Sequence, residues 1–206
     1  MKTFVKNRSS FSIALCFVCV AAFAAAPEFF AQRRTNAGGR VLRAAENISG
    51  DRFEYQAVTP RGARILSVSR PHAETLRAID EGLTQLFAVA RKNNYRSRTN
   101  HSDYTIFIAR PDRTQNRQGG YSPDIAVGAA QYAGGRYDQG GYVYAAGMVV
   151  ALETCAFMIA EHNQNWSRVS DAVRFEGEHL VLYHNDPARF QATRDHSRGG
   201  GHPIMK

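Results

Sequence analysis

Cysteine is scarce in this chain, with three in 206 residues, and two of them, Cys16 and Cys19, fall near its start. That start reads as a leader. Lys2, Lys6 and Arg8 come without an acid, and Phe11 to Ala26 is apolar apart from Ser12. Small residues close the run at Ala22-Phe23-Ala24 and again at Ala24-Ala25-Ala26. A basic opening, a short apolar centre and a small-residue end form a secretory signal peptide over residues 1–26. The alternative is an uncleaved anchor, but the run is marginally short for a membrane span and no stop-transfer flank follows it. Cys16 and Cys19 follow large residues, which does not fit a lipid-attachment site. Removing the leader leaves Cys155 alone, and that excludes an internal disulfide framework. Within VVALETCAFMIA, Cys155 reads as a buried small hydrophobe, not as a nucleophile.

Other absences narrow the function. The mature chain is expected to carry no transmembrane span and to be secreted or periplasmic. Gln-Gly-Gly-Tyr occurs at 118–121 and 139–142, but neither copy brings the lysine and spacing of a phosphate loop. The net charge is +8 and falls to +5 without the leader, which holds three cations and no anion. The arginines are scattered and no nucleic-acid-binding motif is present. A solvated basic surface is the expected reading, with no nucleic acid as partner.

About 180 residues remain, the length of one ordinary domain with a core of its own. Residues 27–50 show little sustained periodicity and read as a flexible lead-in, with a short helix near Val41 to Ala45. The ordered domain spans 51–206. RFEYQAVT and ARILSVS, split by Pro60-Arg61-Gly62, predict two strands meeting at a turn. Pro71 opens a helix whose core face is Leu76, Ile79, Leu83, Leu86, Phe87 and Ala90. DYTIFIA (103–109) predicts a strand, a glycine- and glutamine-rich tract follows, and YVYAAGMVVAL and CAFMIA predict further strands. A helix runs from Asn165, and Asp186-Pro187 starts another, since aspartate caps and proline fits a first turn. The order predicts an α+β fold with a small mixed sheet, a long upstream helix and two C-terminal helices.

The chemistry gathers in VRFEGEHLVLYHND, residues 173–186. At about 100° per residue, Val169, Val173, Glu176 and Leu180 form one stripe, and His179 lies about 60° from Glu176. Glu178 points to the opposite side and is expected in solvent. A carboxylate on a buried stripe costs several kcal/mol unless it meets a cation, a donor or a metal.

Phe175-Glu176-Gly177-Glu178-His179 resembles the HExxH helix of zincin metallopeptidases, with phenylalanine at the first histidine. The resemblance implies a zincin-like domain, zinc as cofactor, Glu176 as general base and His179 as a metal ligand. It also implies a downstream ligand, for which His196 or His202 is the candidate, and GYVYAAGMV as an edge strand for an extended peptide substrate or ligand. His184 lies about 140° from His179 around the helix and is not expected to share the site. If Glu176 itself became a ligand, it would not serve freely as the base.

Two readings of these residues stand side by side. In one, His179 and a downstream histidine hold zinc in an exported hydrolase. In the other, His179 donates to a backbone carbonyl and Glu176 pairs with Arg174, Arg189 or Arg194, so that these pairs only pin the C-terminal helices together. The alternative to a hydrolase is a noncatalytic protein of zincin descent that binds a peptide or cell-envelope partner through the edge strand and the glycine-rich tract. His72 is expected in solvent at a helix start, and His101 and His162 in loops. Asn47, Asn100 and Asn165 each begin an N-x-S triplet.

Overall fold

The computed structural model describes residues 36–111, 123–128, 142–161, 165–194 and 201–206. The leader, most of the glycine-rich tract, His162 and His196 lie outside the described residues.

Helix α1 (Asn36–Ser49) precedes strands β1 (Tyr55–Val58) and β2 (Arg64–Ser67). Helix α2 (Ala73–Lys92) and β3 (Thr105–Ala109) follow, then β4 (Ile125–Gly128), β5 (Tyr142–Ala145), β6 (Gly147–Ala151) and β7 (Ala156–Ala160). Helices α3 (Trp166–Asn185) and α4 (Pro187–Thr193) come last. The fold is α+β. Five strands form one mixed sheet in the order β1-β2-β3-β7-β6, and β4 pairs with β5 in a separate two-stranded sheet. The central pairs β2/β3 and β3/β7 are parallel, while β1/β2 and β6/β7 at the two edges are antiparallel. Among the described residues no helix is long and apolar enough to cross a membrane.

The period-2 alternation of the strands decides which helix packs where. Ile65, Ile106, Ile108, Phe157 and Ile159 face α2 and α3, joining Ile79, Leu83, Leu86, Val173 and Leu180. Leu66, Phe107 and Met158 point the other way and meet Leu42 and Ala45 of α1. The helix expected near Val41 to Ala45 is present and extends over Asn36–Ser49. Val41, Leu42, Ala45 and Ile48 recur at helical spacing and close the second face of the sheet, a stripe that Gly38-Gly39 and the small residues obscured.

The expected hairpin forms, and its turn is tied to α2. Thr59 Oγ1 donates to Asp80 Oδ1 at 2.5 Å, and the Arg61 amide donates to Asp80 Oδ2 at 2.9 Å. YVYAAGMVVAL is two strands where one was expected, since the chain leaves β5 at Ala146 and enters the main sheet as β6. Cys155 is fully buried in the turn before β7, at φ 45°. Burial pushes its thiol up to about 11. Because thiolate is the reactive form, alkylation by iodoacetamide at pH 8 is expected to run at least about 100-fold slower in the native protein than in denaturant. Mass spectrometry of both time courses checks it, and comparable rates would contradict the burial.

Candidate functional site

Helix α3 carries the motif, and its ends explain why it starts and stops where it does. Asn165 caps the first turn by accepting from the Arg168 amide at 3.2 Å. Asp186 ends α3 and caps α4, accepting from the Arg189 amide at 3.0 Å with Pro187 in the first turn. Between these caps α3 packs on α2 and across β6 and β7. The C-terminal segment 201–206 also lies against it, and Met205 enters the core. This leaves α3 buried almost all round from Gly177 to Leu182.

Glu176 sits where α3 meets the sheet edge. A Cβ on Gly147, the first residue of β6, would lie 2.6 Å from Glu176 Cγ and 2.9 Å from the Met158 carbonyl oxygen. Only glycine lets the glutamate side chain rest against this strand. Burial pushes the Glu176 carboxyl up to about 7, and the nearby His202 imidazole acts in the opposite direction. Arg174 and Arg189, expected as possible partners for Glu176, are engaged elsewhere. Arg174 pairs with Glu178 at 3.1 Å, and Arg189 donates to the Ile204 carbonyl at 2.6 Å.

Glu178 is the correction. It was expected in solvent and is fully buried. Its Oε2 accepts from the Ile204 amide at 2.6 Å and lies 3.3 Å from His202 Nδ1, while its Oε1 lies 3.4 Å from the Met205 amide. The helical wheel assigned one buried stripe to α3. The C-terminal segment covers a second one, and Glu178 points into it.

The structure brings His179 and His202 together, with Nε2 to Nε2 at 3.2 Å. His179 is buried, and the Phe175 ring stacks on His202 with centroids 5.3 Å apart. The Phe175 ring thus forms a wall against the His202 imidazole. His196, the other downstream candidate, lies outside the described residues. His184 turns away to the Leu152 carbonyl at 3.2 Å, as its angle on the helix predicts. His101 lies 3.3 Å from the Asp80 carbonyl oxygen and takes no part.

The 3.2 Å between the two Nε2 atoms is a hydrogen-bond distance, and it is also close to the spacing of two ligands on one metal. Two imidazole nitrogens on one tetrahedral zinc, each about 2.0–2.1 Å from it, stand roughly 3.3 Å apart. The observed pair is within about 0.1 Å of that. A ligating histidine also usually gives its other ring nitrogen to a carboxylate, which is the arrangement of His202 with Glu178. Among the described residues no group of three or more His, Cys, Asp or Glu side chains is arranged to hold a metal. No family model, curated protein or solved structure matches the chain.

The burial of Glu178 left two legible signals in the sequence. Arg174 precedes it by four residues, the spacing of a helical ion pair. The apolar pair Ile204-Met205, following the glycine-rich stretch before it, marks a segment with somewhere to pack.

Proposed function

We propose that this protein is an exported, zincin-like metal-dependent hydrolase acting on a peptide or protein. His179 and His202 hold the metal, with His196 as candidate third ligand, and Glu176 is the general base. The observation that carries this reading is the Nε2 pair of His179 and His202 at 3.2 Å. Zinc bound there supplies Lewis acidity toward a carbonyl oxygen.

The chain's own residues supply the rest. A carboxyl poised near 7 suits a base that takes a proton from water and returns it to a leaving amine. Among the described residues strand β6 is an edge of the main sheet, and an extended peptide can add to such an edge through main-chain hydrogen bonds. Gly147 puts that edge directly beside Glu176. Phe175 favours a second reading, a noncatalytic binding protein of the same ancestry that holds a peptide or envelope partner on β6.

Protein purified without a histidine tag is expected to retain about one equivalent of zinc or another transition metal. His179→Ala should lose it, as removal of one of a few ligands does in an open site. Elemental analysis reads both. No bound metal, together with no rise in melting temperature on adding zinc, would remove the hydrolase reading and leave the noncatalytic one.

A further inference from the structure

The last six residues return to α3 and are held there by their backbone. Arg189 donates to the Ile204 carbonyl at 2.6 Å, Arg174 to the Met205 carbonyl at 3.3 Å and Asn93 to the Lys206 carbonyl at 3.2 Å. The fully buried Met205 anchors the strap in the core. At the centre is the Glu178 carboxylate, which faces the amides of Ile204 and Met205 and His202 Nδ1 together. The group that fixes the strap therefore also turns the imidazole that the strap carries.

We propose that Glu178 is a positioning residue that docks the C-terminal strap and so sets His202 against His179, coupling metal affinity to strap docking. This rests on the reading of His179 and His202 as a metal pair. With Nδ1 of His202 turned to a carboxylate, Nε2 is left to face His179. A buried carboxylate has no donor to repel the two amides, whereas an amide side chain in its place brings one. Linkage then requires reciprocity: metal that needs the docked strap must tighten the docking by the same factor.

The test uses the full mature chain, zinc alone as probe, and hydrogen exchange at the Ile204 and Met205 amides beside zinc titration. In the wild type, saturating zinc should slow exchange at both amides at least about tenfold. His202→Ala should keep the zinc-free protection and lose the zinc effect. Glu178→Gln should exchange faster at both amides and bind zinc about 10–100-fold more weakly. Unchanged zinc affinity or unchanged exchange in Glu178→Gln would overturn the proposal. Met205→Ala removes the strap's apolar anchor while leaving the Glu178, His179 and His202 side chains in place, and it serves even if Glu178→Gln does not fold. It too should weaken zinc binding, and faster exchange with wild-type affinity would overturn the coupling. A wild type that binds no zinc would end the metal-pair reading and the coupling with it. In that case exchange in zinc-free Glu178→Gln still decides the anchoring: faster exchange upholds it and unchanged exchange overturns it.

Discussion

On the proposed hydrolase reading, Glu176→Gln is expected to lower hydrolysis of a peptide library by about 10²–10⁴-fold while the metal content stays unchanged. The substitution preserves shape and removes only the ability to take a proton. A carboxylate that served as a ligand would instead carry the metal away with it, so elemental analysis of the same sample separates the two roles. Stability gives a second readout that needs no substrate. In the metal-free protein the folded carboxyl titrates near 7 against an ordinary 4.5, because burial disfavours its charged form. A group raised in this way contributes its full stability below about 4.5, and the contribution is lost as pH rises toward about 7. The gap corresponds to roughly 3 kcal/mol at about 1.36 kcal/mol per pH unit. Glutamine carries no charge to desolvate, so the metal-free variant should gain on the wild type between pH 4.5 and 7 and stay ahead at pH 8. Denaturant melts at pH 4 and pH 8 check the sign. An equal difference at both pH values would show that the carboxyl is not desolvated.

The second large effect lies where the two long helices touch. A Cβ on Gly82 would overlap the Ser170 carbonyl oxygen and the Val173 side chain across the α2–α3 interface. The carbonyl belongs to the α3 backbone and cannot rotate away, so the helices themselves must separate. Overpacking of this kind costs about 1–3 kcal/mol, partly offset by the better helix propensity of alanine. Gly82→Ala should therefore lower the melting temperature by roughly 2–8 °C for a domain of this size. Gly177 is the informative comparison. Its Cβ would meet the far end of the Leu86 side chain, which can turn aside. Gly177→Ala is expected to lose less than half as much. A larger loss at Gly177 than at Gly82 would show that the helix contact is not set by the Gly82 approach. Because α3 carries Glu176 and His179, separating the helices also moves the site.

Much of the fold was legible because its signals are local. The hairpin around Pro60-Arg61-Gly62, the Pro71 start of α2 and the Asp186-Pro187 junction follow from turn and cap chemistry, which a few neighbouring residues decide. The apolar stripe of α2 likewise named most of its core, and Leu76 alone of that list stays only partly buried. For α3, helical geometry by itself put Glu176 and His179 three residues and one turn apart.

What the tertiary structure decided is which surfaces receive a second cover. Periodicity reports the face a helix turns to one neighbour, and it assumes that there is only one. Glu178 is buried because a strap from more than twenty residues downstream lies over it, and a cover supplied from that distance leaves no mark in the local pattern. His202 reaches His179 by the same route, since the backbone of Ile204 and Met205 is fixed by Glu178, Arg189 and Arg174. The sequence by itself supplied the residue types and their order along the chain. The distance between two imidazoles depends on how the strap packs, and packing against remote segments is not written in residue spacing.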